Sequence, residues 1–162
     1  MRVLICGRGA SLKHIQHEKL ANKFEYVFLV NEFNIFVRKN KELAKFLKEQ
    51  KIIQQINIYQ PDELEPHMEI VKNSSDIAIL NAVVNYGATE VYTIGIDFYE
   101  SQYFLGMNES DFHACSSEPV KNKIKNSHTK IISKFPDVSF TYITTANFNP
   151  ELPNFELVKV GE

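Results

Sequence analysis

Three short segments carry residue types that could act on a ligand: Gly7-Arg8-Gly9-Ala10-Ser11, Asn31 in "LVNEF", and Gly95-Ile96-Asp97 in "IGIDFYE". Glycines let a backbone approach a ligand closely, and the N–H groups at a helix start favour an anion, so the first segment could cradle a phosphate. It lacks the third glycine of a dinucleotide fingerprint and the Gly-Lys-Ser/Thr ending of a P-loop. Taken alone, it reads equally as a ligand turn or a structural turn. The amide of Asn31 can read a base or a sugar hydroxyl, although taken alone the strand-end turn residue is the favoured reading. Asp97 can hold a ribose, a substrate amine or a water, or it can cap the turn that follows.

Acid–base chemistry at neutral pH points to histidine. Of the five histidines, His14 and His17 fall on the first helix, His67 in a polar loop, and His128 on the late helix. His113 lies in the irregular stretch after "GIDFYE", where a ligand would sit, and is the first choice for a general base; as a loop residue it has a structural reading too. Cys6 closes an apolar run and reads as a core thiol. With Cys115 as the second cysteine there is no disulfide framework, and no His/Cys grouping has zinc spacing, so no metal is expected.

These segments must be held by strands and helices that alternate along the chain. "RVLIC" and "YVFLV" are continuous apolar runs, as strands buried on both faces should be, and "IIQQINIY", "EVYTIGI" and "VSFTYIT" continue the series. A helix is expected from Ser11, as N-cap, to about Leu20. "NKELAKFLKEQ" places Leu43, Phe46 and Leu47 on one helical face. "SSDIAILNAVVNYG" is apolar nearly all round, a central buried helix capped by Ser74 or Ser75 and ended by a left-handed Gly87. "VKNKIKNSHTKIISKF" is amphipathic, and "FELVKV" adds an edge strand.

This alternation predicts an α/β fold: a Rossmann-like, doubly wound, mostly parallel sheet with helices on both faces, strand one lying between strands two and four. Ligands bind such sheets beyond the carboxyl ends of the strands, where strand order reverses. The segments after strands one, two and four lie there.

Composition limits the function classes. The 162 residues fit one domain, hydrophobic residues make up 44% and charged residues 23%, and the formal net charge is -2. No basic field favours nucleic acid, and no apolar run reaches the roughly 18 residues that span a bilayer. A cytoplasmic protein is expected; peripheral membrane contact and a homo-oligomer are left open.

Together, "CGRGASLKHI", "LVNEF" and "GATEVYTIGIDFYE" resemble the bacterial sialyltransferases of glycosyltransferase family 42. That family has Gly-Asn-Gly-Pro-Ser-Leu after strand one, Asn-Gln ending strand two, and Gly-Ile-Asp-Phe-Tyr after a late strand. The resemblance implies a single nucleotide-binding domain over 1–162, with a reduced lid-like loop at 100–118. It implies transfer from a CMP-sugar, CMP-sialic acid, to a glycan acceptor in cell-surface glycan synthesis, without a metal cofactor. The nucleotide and donor would lie over Gly7, Arg8, Gly9, Ser11, Asn31, Gly95 and Asp97. "KNSSD", matching the family's Arg-Ile-Thr-Ser-Gly, would bring Lys72, Ser74 and Ser75 to the donor.

The family's tyrosines that assist the leaving phosphate come from its lid, where this chain has Tyr103, with Tyr99 at the loop's edge. Arg8 stands where the family has Asn, Glu32 where it has Gln, and Asp76 where it has Gly. Asp76 would repel an anionic donor unless it points away. Val120 falls at or near the family's catalytic histidine. Two alternatives follow: a non-catalytic nucleotide-binding homologue that has lost base and lid, or another phosphotransfer or nucleotide-sugar enzyme.

Overall fold

The computed structural model describes residues 1–31, 33, 40–55, 62–101, 103–104 and 116–162. Among the described residues, six strands form one sheet: β1 (Arg2–Cys6), β2 (Tyr26–Val30), β3 (Ile52–Gln55), β4 (Glu90–Ile94), β5 (Ser139–Thr144) and β6 (Phe155–Lys159). Every neighbouring pair is parallel, in the order β3-β2-β1-β4-β5-β6. This is the Rossmann strand order. The chain steps outward from β1 to β3, crosses back, and steps outward again from β4 to β6, so the order reverses between β1 and β4.

The period-2 alternation of each strand splits the interior into two layers. Val3, Ile5, Phe28, Val30, Val91, Phe140 and Tyr142 face one side, where they meet helices α2 (Ser74–Val84) and α3 (Glu118–Lys134). Leu4, Cys6, Val27, Leu29, Ile94 and Ile143 face the other, against Leu12, Ile15, Leu20 and helix α1 (Lys41–Lys48). Cys6 is fully buried, and desolvation pushes its thiol far above its ordinary range, so it acts as a small apolar side chain.

Nine consecutive residues of α2, Ser74 to Ala82, are buried, as its all-round apolar sequence requires. Gly87 follows the helix at φ 72, the left-handed value expected there. The cap is different from expectation. Asn73, not Ser74 or Ser75, is the N-cap: its side chain accepts from the Asp76 N–H, while Asp76 reaches back to the Asn73 N–H.

The segment after β1 also differs. Instead of one helix from Ser11 to Leu20, the chain winds as two 3-10 segments, Ala10–His14 and Glu18–Leu20. Ser11 does not cap them, because its hydrogen bonds run to Asp97 and Gly95 across the sheet edge. The expected edge strand forms as β6, and the third strand is described over Ile52–Gln55.

Candidate functional site

The turns that follow β1 and β4 press against each other. Gly7 N–H donates to the Ile94 carbonyl at 2.8 Å and Gly9 N–H to the Gly95 carbonyl at 2.7 Å. A Cβ on Gly7 would lie 2.4 Å from the Gly95 oxygen, and one on Gly9 would lie 2.2 Å from Asp97 Oδ2. Gly95 adds a left-handed φ of 76. The glycines are therefore required by backbone meeting backbone, before any ligand is considered.

Asp97 locks this junction. Its Oδ2 accepts from the Ser11 N–H at 2.9 Å and the Ser11 hydroxyl at 3.0 Å. Its Oδ1 accepts from the Thr144 hydroxyl at 2.9 Å and the Thr145 N–H at 2.8 Å. The Ser11 hydroxyl oxygen in turn accepts the Gly95 N–H at 2.7 Å. The carboxylate does not cap the turn that follows it; its contacts instead clamp the turn after β1 and the end of β5. Ser11 is completely buried behind the turn, outside the lining of the cleft described next.

At the point of strand-order reversal a cleft opens, enclosing about 580 Å³ when the part open to solvent is counted. The space within it open to a water-sized sphere is about 80 Å³, and its position at the reversal is where such sheets bind ligands. Gly7, Arg8 and Gly9 come from β1's end, Asn31 from β2's, and Gly95 and Asp97 from β4's; Ser74 and Ser75 start α2, and Tyr103 lies at the mouth. Lys72 is exposed and outside this lining; its N–H donates to Asp76 and its ammonium approaches the Glu69 carbonyl. His113, Glu32 and Cys115 lie outside the described residues, as does most of the 100–118 loop.

Three of the cleft's non-glycine residues, Asn31, Phe98 and Tyr99, have positive φ values of 65, 52 and 57. Such conformations persist where surrounding structure imposes them, and they gather at ligand sites. The positive end of the α2 dipole faces the same space. Asp76 is buried with its Oδ2 turned back to the Lys72 and Asn73 N–H groups and the Ser127 hydroxyl, so it points away from the cleft.

At the mouth, Tyr103 pairs with Gly9 in an isolated antiparallel bridge, and the Phe104 N–H donates to the Arg8 carbonyl at 2.8 Å. The Arg8 guanidinium lies 5.2 Å above the Tyr103 ring, close enough for a cation–π contact. The rings of Tyr99 and Tyr103 are 6.0 Å apart. One cation and two phenols thus border the cleft.

Val120 sits in the first turn of α3, half-buried and packed against the larger core cluster. About two turns further along α3, His128 is completely buried, its Nε2 2.8 Å from the Ser75 hydroxyl and its Nδ1 2.6 Å from the Tyr142 hydroxyl. Burial lowers the imidazole's pKa, and the neighbouring Asp76 opposes that. Sequence reasoning assigned His128 no role. The available signal was its spacing with Ile124 and Ile131, which places it on the buried helix face. Among the described residues no three His, Cys, Asp or Glu side chains group as metal ligands would. Likewise no described helix is long and apolar enough to cross a membrane.

The fold has solved counterparts. A crystal structure of a single-substitution variant of the sialyltransferase CST-II in complex with CMP superposes with a TM-score of 0.55, at 15% identity, covering 97% of this chain and 86% of that one. The likeness is one of fold. A second structure of CST-II, in complex with a trisaccharide acceptor and CMP, gives a TM-score of 0.54 at 15% identity, covering 94% and 83% of the two chains. No family model matches the sequence, and no curated protein matches it.

Proposed function

We propose that this chain is a sialyltransferase-like glycosyltransferase that binds a CMP-sugar, CMP-sialic acid, in the cleft and transfers the sugar to a glycan acceptor. One observation carries the reading. Four segments far apart in sequence, after β1, after β2, after β4 and at the start of α2, converge on one cleft at the reversal of strand order. The fold around that cleft is shared with a sialyltransferase whose structures contain CMP.

In this reading the pyrimidine nucleotide lies along the glycine turn, with Asn31 against base or ribose and the phosphate toward Arg8 and the start of α2. A base takes the proton of an acceptor hydroxyl, whose oxygen attacks the anomeric carbon as the bond to the CMP phosphate breaks. The phosphate's developing charge is met by Arg8, by the α2 dipole and by the hydroxyl of Tyr103. His113 is the proposed base. Ser11 and Asp97 hold the turn in shape. No resident cofactor is proposed, and the setting is cytoplasmic synthesis of cell-surface glycans.

A second reading, a nucleotide-binding homologue without transfer activity, is favoured by Val120, which packs into the core near the position of the family's histidine. Calorimetric titration with CMP, UMP and AMP tests the binding step, and incubation with CMP-sialic acid and a galactoside tests transfer. Preferential CMP binding with transfer supports the enzyme. CMP binding with neither transfer nor donor hydrolysis supports the second reading. No nucleotide binding at all overturns both.

A further inference from the structure

We propose that His128 is a positioning residue that sets the Ser75 hydroxyl as a hydrogen-bond donor to an anionic group of the ligand in the cleft. The inference rests on the nucleotide-sugar reading above and adds to it the side chain behind the wall. The geometry fixes which way each proton points.

His128 is enclosed by aromatic rings: Phe98 meets it edge-on at 5.0 Å, Tyr142 at 5.6 Å and Phe148 at 6.3 Å. The ring cannot turn freely, so its two nitrogens have fixed partners. Burial keeps the Tyr142 phenol protonated. A buried O–H is costly to leave unpaired, and among the described residues the acceptor within reach is Nδ1 of His128 at 2.6 Å. A neutral imidazole that accepts at Nδ1 carries its proton on Nε2. The opposite tautomer would aim a bare Nε2 lone pair at Asp76 Oδ1, 3.4 Å away. That carboxylate oxygen is buried without a hydrogen-bond partner, so it too favours an N–H at this spot. The tautomer is assigned from this network.

Nε2–H then donates to the Ser75 oxygen at 2.8 Å. The Ser75 proton cannot go to His128, and it is directed at Asn73 Oδ1, 2.7 Å away. Asn73 Oδ1 already accepts the Asp76 N–H at 3.1 Å as the helix cap. It therefore keeps a partner if Ser75 swings its proton elsewhere. Ser75 lines the cleft, so an anion arriving there competes for that proton and is the stronger acceptor. The imidazole N–H occupies one lone pair of the serine oxygen and leaves the hydroxyl poised to donate. The anion is a phosphate or a sugar carboxylate.

Two replacements of similar size separate this role from a merely structural one. In His128→Gln the side-chain amide N–H falls near Nε2 and can still donate to Ser75. In His128→Asn the side-chain oxygen falls near Nδ1 and can still accept from Tyr142, but Ser75 loses its donor. We expect Asn to weaken ligand affinity about tenfold or more and Gln to weaken it less than threefold, although both lower the melting temperature. Titrations with cytidine, CMP and CMP-sialic acid identify the anion. An effect that begins at CMP indicates the phosphate, and one confined to CMP-sialic acid indicates the carboxylate. Equal affinities for Gln and Asn across all three ligands overturn the proposal.

A ligand-free measurement keeps this inference separate from the functional reading. Nitrogen-15 spectra of the histidine rings should show His128 as the Nε2–H tautomer at neutral pH, and an Nδ1–H tautomer overturns the proposal whatever binds. If the wild type binds none of the three ligands, the nucleotide-sugar reading falls, and the ligand half of this proposal falls with it.

Discussion

The carboxylate of Asp97 holds the hydroxyl of Ser11 at 3.0 Å across a sequence separation of 86 residues, and its other oxygen holds Thr144 at 2.9 Å. One side chain thereby ties together the carboxyl ends of β1, β4 and β5. Asp97→Ala leaves the buried Ser11 N–H and hydroxyl and the part-buried Thr145 N–H without their acceptor, while the Thr144 hydroxyl keeps the Ile96 carbonyl. Each hydrogen bond to a charged group contributes on the order of 1.5–3 kcal/mol, so the loss should be at least about 3 kcal/mol. That corresponds to a fall in melting temperature of roughly 6–12 °C for a chain of this size. A variant that melts like the wild type yet fails to bind nucleotide would mean that Asp97 reads the ligand instead.

Gly9 of the turn and Gly87 after α2 should respond unequally to alanine. Gly87 has φ 72 with open space around it, so Gly87→Ala meets only backbone strain, about 1–2 kcal/mol. Gly9 has an ordinary φ of -69, but a Cβ there would strike Asp97 and the Gly95 carbonyl. Gly9→Ala should therefore destabilise by about 3 kcal/mol, the upper end of the usual overpacking cost, because the obstacles are backbone and a clamped carboxylate. Urea unfolding of both variants checks this, and equal midpoints would contradict it.

Acid should weaken the fold through His128. Burial holds its folded-state pKa below the ordinary value of about 6.5, so on acidification the unfolded chain takes up the proton first. The stability linked to this residue is complete above about pH 6.5 and drains away below it, by at most about 1.4 kcal/mol per pH unit. His67 is also lowered, by burial and then by Lys134, and contributes in the same direction. Because His128→Gln leaves His67 and the carboxylates in place, the difference between the two stability curves isolates His128. Parallel curves between pH 7 and 5 would show that His128 does not titrate on unfolding.

Much of this arrangement was legible in the sequence where local pattern and burial agree. "RVLIC" and "YVFLV" are apolar throughout because both sheet faces are covered, and the parallel order and the reversal between β1 and β4 follow from that. Once the reversal is placed, the segments after β1, β2 and β4 fall into the cleft. Part of what could not be read depends on partners far along the chain. Ser11 looks like a helix cap, yet its hydroxyl belongs to Asp97, so the expected helix becomes two 3-10 segments. The identity of the α2 cap is a contest between adjacent polar residues that only the Asp76 backbone decides. His128 is polar by composition, and its burial shows only when it is counted with Ile124 and Ile131 as one helical face.

Arg8 should set affinity for the phosphate rather than for the nucleoside. Its guanidinium stands over Tyr103 at the mouth of the cleft, a planar donor array suited to phosphate oxygens. Arg8→Ala should lower CMP affinity about tenfold or more, the equivalent of roughly 1.4 kcal/mol, and leave cytidine affinity unchanged. Arg8→Lys should recover part of the loss. Calorimetry with the two ligands distinguishes the cases. An equal loss for both would assign Arg8 to the base or ribose.

Transfer activity should separate from binding at Tyr103 and His113. Tyr103→Phe keeps the ring beneath Arg8 and the backbone bridge to Gly9, so fold and CMP affinity should survive. If the phenol donates to the departing phosphate, turnover of CMP-sialic acid should fall about 10²–10³-fold, as for loss of one transition-state donor. His113→Ala should lower turnover at least about 100-fold with donor affinity unchanged, the effect of removing a general base. The two variants report on opposite ends of the reaction, one on the leaving group and the other on the acceptor's proton. A base that acts only on the acceptor is not needed for donor hydrolysis by water, so His113→Ala should depress transfer more than hydrolysis, whereas Tyr103→Phe should depress both equally. Full transfer activity in His113→Ala would move the base to another residue. A wild type that binds CMP tightly and processes no donor would assign the chain to the non-catalytic class, with Val120 occupying the place of the lost histidine.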